Sequence, residues 1–77
     1  MTIKILGSGC KNCIKLEENV KAAVKELGLQ ASVEKVTDME LILGYGVMRT
    51  PGLVLNEKAV SAGKVLSVED IKKILSN

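Results

Sequence analysis

The chain has 77 residues and a formal charge of +2, from 11 basic and 9 acidic side chains. That length allows one domain, residues 1–77, whose small core needs well-patterned elements, a disulfide or a metal to hold it. The two signs of charge are interspersed and no aromatics are interleaved with the basic residues, so nucleic acid is not an expected partner. No stretch nears the ~18 continuous apolar residues of a membrane span, so no membrane association is expected. No apolar leader precedes the first polar positions, which makes the cytoplasm the expected compartment.

Hydrophobic residues make up 47% of the chain, yet there is no Trp, no Phe and one Tyr. The core must be built from Ile, Leu, Val, Met and Ala, a composition suited to strands covered by helices. Two Cys and no His fall short of a tetrahedral metal site, so no metal is expected from this chain alone. Cytosolic thiols are normally kept reduced, and a structural disulfide is not the default there.

Residues 2–6, with Ile3, Ile5 and Leu6, read as a short buried strand that Gly7, Ser8 and Gly9 break. From Lys11 to about Leu27 the apolar spacing becomes helical: Cys13, Leu16, Val20, Ala23 or Val24, and Leu27 form one stripe. Glu17 precedes Lys21 by one helical turn, the orientation that helix ion pairs prefer, and Gly28 is the stop. Residues 30–36 form a second strand, and strand–helix–strand at this spacing implies a parallel pair. Asp38 caps a short helix over about 39–45, in which Met39, Ile42 and Leu43 are expected in the core. After Pro51, residues 53–55 and 59–62 form a hairpin around Asn56, Glu57 and Lys58. Ser67 and Asp70 then open a final helix through Val68, Ile71, Ile74 and Leu75. The order is β-α-β-α-β-β-α, an α/β fold with a four-stranded mixed sheet flanked by helices.

The chemistry concentrates at Cys10 and Cys13. A strand and a glycine-bearing loop lead into the helix that carries both, with Cys10 at the cap and Cys13 one turn further in. The thiolate is the reactive form of cysteine. Unpaired amides and the dipole at a helix start favour it, and Lys11 adds a positive charge alongside. Cys13 falls on the apolar stripe and should be more buried and less acidic. Cys10 is therefore the candidate nucleophile, forming a mixed disulfide with a substrate, and Cys13 the resolving thiol that releases it. Two other readings remain: a pair of small apolar side chains, or two thiolates of a copper or zinc site completed by another molecule. Small copper-carrier domains share the C-x-x-C spacing, but their element order ends in a strand, whereas this chain is expected to end in a helix.

Pro51 stands just before a strand, where its missing N–H costs nothing. On base rates its peptide bond would be trans, since only about 5% of such bonds are cis. Arg49, Met48 and Tyr45 lie close by in sequence. Arg49 is a candidate for steering acidic groups or a solvated surface charge. Met48 and Tyr45 either line a groove or cap the short helix.

The segments Gly7-Ser-Gly-Cys10-Lys-Asn-Cys13 and Val47-Met-Arg-Thr50-Pro51-Gly-Leu-Val-Leu55 together resemble the thioredoxin superfamily, in particular the small glutaredoxin-like redox-active disulfide proteins of prokaryotes. The resemblance spans the whole chain and implies a minimal thioredoxin fold. It also implies a cis Thr50–Pro51 bond facing the cysteines, a Thr50 backbone free to bind extended substrate segments, and thiol–disulfide exchange without a cofactor. Disulfide-containing proteins and an upstream thiol reductase are the implied partners. The chain departs from the superfamily pattern at Gly9, where thioredoxins carry an aromatic, and at Lys4, where they carry a buried Asp. The glutathione-site pattern of glutaredoxins is reduced to Gly63, with Asp70 some way off, which lends little support to glutathione as a partner.

Overall fold

Alternation in the first strand decides how the whole sheet faces. The computed structural model describes residues 1–7 and 9–76; Ser8, part of the expected loop, and Asn77 lie outside the described residues. In strand β1 (Thr2–Leu6), Ile3 and Ile5 point to one side, while Lys4 and Leu6 point to the other, as a period of two requires. β1 pairs in parallel with β2 (Ser32–Val36) and antiparallel with β3 (Gly52–Leu55). β3 pairs antiparallel with β4 (Lys58–Ala62). The sheet order is β2-β1-β3-β4, the mixed four-stranded sheet expected from the sequence.

Helices α1 (Lys11–Leu27) and α3 (Val68–Leu75) cover one face. There Leu16, Val20, Ala23, Ile71 and Leu75 pack with Ile3, Ile5 and Leu53. Full burial of a Leu, Ile or Val side chain stabilises by about 1.5–3 kcal/mol over leaving it exposed, so this layer is the main source of cohesion. The opposite face carries a smaller cluster of Leu6, Ile42, Val47 and Val54 beneath helix α2 (Met39–Gly44). Among the described residues no helix is long and apolar enough to cross a membrane.

Element ends follow from local chemistry. Gly28 closes α1 in a left-handed conformation (φ 65°), with Gly28 N donating to Lys25 O and Leu29 N to Val24 O, the paired bonds of a Schellman ending. This ending consumes residues 28–29, so β2 starts at Ser32 rather than near 30. Asp38 Oδ1 accepts from Glu40 N at 2.9 Å to cap α2, and Ser67 Oγ accepts from Asp70 N at 3.2 Å to cap α3.

Two expectations need correction. Met39 and Leu43, expected in the core, are 57% and 52% exposed, whereas Ile42 is 1% exposed. A helix of 6 residues presents only one narrow side to the sheet, and Ile42 occupies it. The hairpin turn holds two residues, not three: Asn56 (φ 49°) and Glu57 (φ 67°) are both left-handed, as the favoured hairpin turns require, and Lys58 already belongs to β4.

Left-handed backbone costs a residue with a Cβ about 1–2 kcal/mol, and the turn is offset by contacts to β1. Asn56 N donates to Thr2 O at 2.8 Å, and Asn56 Oδ1 accepts from Thr2 N at 3.0 Å. The Glu57 carboxylate accepts from Lys4 Nζ at 2.6 Å and from Tyr45 Oη at 2.8 Å, and Lys4 Nζ also donates to Tyr45 Oη at 2.9 Å. Lys4, Tyr45 and Glu57 thus close a ring of hydrogen bonds over the α2 side of the sheet.

The Lys4 and Tyr45 hydrogen bonds hold the Glu57 carboxyl below its ordinary value of 4.5. A carboxyl that titrates lower in the folded state contributes stability above the unfolded value and loses it as pH falls through the folded one. Glu57→Gln should therefore lower the thermal midpoint at neutral pH and flatten its decline below about pH 4.5, as checked by thermal unfolding from pH 7 to pH 3. Parallel pH profiles for the two proteins would contradict this.

Candidate functional site

The site forms where β1 runs out and α1 begins. Cys10 is the N-cap of α1, with extended backbone (φ −66°, ψ 166°). Its sulfur accepts the amide of Cys13 at 3.2 Å, and its carbonyl accepts the amide of Ile14 at 3.0 Å. The sulfur thus meets one of the first-turn amides that have no partner inside the helix. No acidic residue stands in that first turn to oppose a negative charge.

Cys10 and Cys13 form a disulfide, with their Cα atoms 5.0 Å apart. The two sulfurs differ in access: Cys10 is exposed, while Cys13 is 4% exposed and packs into the α1 stripe. Lys11 is the first residue of α1 and is exposed. Among the described residues no cluster of three or more potential metal ligands occurs.

Gly7 explains how Cys13 sits so close to the strand end. A Cβ on Gly7 would overlap Cys13 Sγ and would lie 3.6 Å from Thr50 Cβ. The bare backbone of Gly7, anchored by its amide to Val36 O at 2.9 Å, therefore lets the disulfide and the Thr50 segment meet. From sequence Gly7 is a strand breaker; its packing role rests on contacts with Cys13 and Thr50 that only the fold creates.

Beside the same Cβ position of Gly7 lies Thr50, followed by Pro51. The Thr50–Pro51 bond is cis, as the resemblance implied, and Pro51 is buried while Thr50 is exposed. Among the described residues, the Thr50 backbone makes no hydrogen bond, whereas Pro51 O accepts from Gly63 N at 2.9 Å. The stem of Arg49 lies over Gly63, a position with φ +73°. Met48, two residues before Thr50, is 84% exposed, and half-buried Tyr45 caps α2 while holding Glu57.

The comparisons agree with this geometry. The family model of the thioredoxin domain matches residues 1–76. The chain belongs to the thioredoxin family. A thioredoxin of Methanothermobacter thermautotrophicus is 49% identical over 76 residues, covering 99% of each chain. A thioredoxin of Methanocaldococcus jannaschii is 44% identical over 77 residues, covering all of this chain and 88% of its own. A solved structure described as that of a malarial protein superposes with a TM-score of 0.71 over 97% of this chain and 92% of its own, at 16% identity, which speaks for the fold alone. With the family and the paired cysteines together, the chain is a thiol–disulfide oxidoreductase.

Two neighbours of the disulfide escaped sequence reasoning as site residues. Glu17 and Lys35 form an ion pair at 3.2 Å and line a cavity that reaches Cys13. In sequence Glu17 pairs along the helix with Lys21, a contact that forms at 3.3 Å. The pairing of β2 with β1 that brings Lys35 under α1 is not visible in local spacing.

Overlap with Cys13 Sγ makes Gly7→Ala an overpacking substitution. It should destabilise the oxidised protein by about 1–3 kcal/mol, read as a lower denaturant midpoint, and an unchanged midpoint would contradict the close approach.

Proposed function

We propose that residues 1–77 act as one thioredoxin-like domain that reduces or exchanges disulfides of partner proteins, with Cys10 as nucleophile and Cys13 as resolving thiol. The observation that carries this reading is the asymmetry at the start of α1: Cys10 is exposed and takes a first-turn amide at its sulfur, while Cys13 lies buried one turn below. In the reduced protein the same amide and the helix dipole favour a thiolate at Cys10, and Lys11 beside it adds positive charge.

The Cys10 thiolate attacks one sulfur of a substrate disulfide; a Cys10–substrate bond forms, and the other substrate sulfur leaves as a thiolate with the electron pair. Cys13 gives its proton to solvent and attacks Cys10 Sγ. The Cys10–Cys13 bond forms, and the first substrate sulfur leaves as a thiolate. Two electrons pass from protein to substrate, whose thiolates take protons from water. A dithiol reductase upstream returns two electrons to the pair.

Substrate recognition in this reading falls to Thr50 and Pro51. Thr50 is exposed beside Gly7, and its backbone, without a hydrogen bond among the described residues, suits pairing with an extended segment. Arg49, an exposed residue whose stem lies over Gly63, steers acidic substrate segments. Extended protein segments fit this arrangement better than glutathione, and the cytoplasm, where a reductase keeps dithiols reduced, suits the reaction.

Reduction of insulin disulfides driven by dithiothreitol tests the reading. Wild type should accelerate it, Cys10→Ser should fall to the uncatalysed rate, and Cys13→Ser should accumulate a mixed disulfide visible by mass. Equal activity of wild type and Cys10→Ser would overturn the assignment.

A further inference from the structure

Arg49 and Gly63 meet at the end of the sheet that carries the site. Gly52 pairs with Leu6 on one side and with Ala62 on the other. The residues just before β3 and just after β4 therefore lie level with the end of β1, where Gly7 meets Cys13. Gly63 follows β4 directly, and its amide donates to Pro51 O at 2.9 Å. Its backbone is left-handed (φ +73°), and a Cβ there would come to 3.0 Å from Arg49 Cβ and 3.3 Å from Arg49 Cδ. Gly63 is thus a seat: the missing side chain leaves the space that the aliphatic stem of Arg49 fills. A long side chain already lying on backbone has less rotamer freedom to lose when its charged end meets a ligand.

Arg49 is exposed, and among the described residues it enters no ion pair. The same holds for Lys11, which follows Cys10 on α1, and for Lys64, which follows Gly63. Acidic side chains that could cancel these charges are engaged elsewhere. Glu57 holds Lys4 from the β3–β4 turn, and Glu26 and Glu69 share Lys72. Cations without a partner therefore adjoin the exposed Cys10 from α1 and the exposed Thr50 from the β3–β4 side.

We propose that Gly63, by seating Arg49 beside the Thr50–Pro51 segment, gives the protein a preference for disulfides flanked by carboxylates. This preference rests on the disulfide exchange proposed above and names the substrate class it serves. Cys10 attacks as an anion, so a carboxylate close to the substrate disulfide is repelled as the sulfurs approach. A fixed guanidinium at the edge of the site offsets that repulsion, and it disfavours a cationic substrate by the same rule. Bond exchange at sulfur is unchanged; Arg49 acts on encounter and placement, and Gly63 is a positioning residue that acts through Arg49.

The test measures how fast the reduced protein reduces three small disulfides: anionic dithiodipropionate, cationic cystamine and neutral hydroxyethyl disulfide, each compared with dithiothreitol under the same conditions. At ~10 mM salt the anion-to-cation rate ratio should exceed that of dithiothreitol several-fold, and it should fall toward it at ~0.5 M salt. Arg49→Gln should lower the ratio about threefold, because one charge acts on the two compounds with opposite sign. Gly63→Ala should lower it in the same direction although every charge is kept. Gly63→Asn fills the seat with a residue that tolerates a left-handed backbone, and carries the test past the strain that alanine introduces. Lys25→Gln removes a charge at the far end of α1 and should leave the ratio where it was. Lost stability slows both compounds alike, so the ratio isolates the charge. A wild-type ratio equal to that of dithiothreitol, or a Lys25→Gln shift as large as that of Arg49→Gln, overturns the preference. Wild-type ratios in both Gly63 variants overturn the seat. Failure of the wild type to reduce even the neutral compound would instead refute the exchange function itself.

Discussion

The start of α1 has more amide donors than the helix can use, and a sulfur sits among them. Every helix opens with N–H groups that lack an internal acceptor, and most proteins satisfy them with a hydroxyl or carboxylate cap. This chain does so at its other two helices, with Asp38 and Ser67. At α1 the cap is Cys10, whose sulfur takes the Cys13 amide. A neutral sulfur is a weak acceptor and a thiolate a far better one, so the helix start favours the reactive form of the side chain it holds.

The rest of the fold keeps that helix start in place and gives the second sulfur a fixed position. Leu16, Val20 and Ala23 anchor α1 to Ile3, Ile5 and Leu53, so the first turn projects past the end of β1. Gly7 removes the one Cβ that would keep Cys13 away from the strand end. The same absence brings Thr50 alongside, which sets the sulfur pair and the exposed Thr50 segment next to each other. Small size is compatible with this precision because both faces of the sheet are covered, one by α1 and α3 and the other by α2 and the Lys4–Tyr45–Glu57 ring.

Features governed by nearest neighbours in sequence were legible. The stripe Cys13, Leu16, Val20, Ala23 is the buried face of α1, and Asp38, Ser67 and Gly28 end or open helices as their side chains dictate. The cysteine pair announced the site through its spacing and its place at a loop–helix junction. Features that depend on strand pairing were not legible. The position of Lys35 beside Ile5 follows only from the parallel register of β2 with β1. Lys4 and Glu57 lie 53 residues apart and meet only because the β3–β4 turn folds back over β1. Met39 and Leu43 fit a helical core pattern, but α2 is too short to bury more than Ile42.

Equilibration of the purified protein across a series of dithiothreitol redox buffers, with free thiols counted by alkylation and mass, tests most directly that the two sulfurs work as a unit at the start of α1. The account predicts one two-electron transition in which both cysteines change together and the oxidised product is an intramolecular disulfide. Cysteines that oxidise independently, or only between molecules, would contradict it.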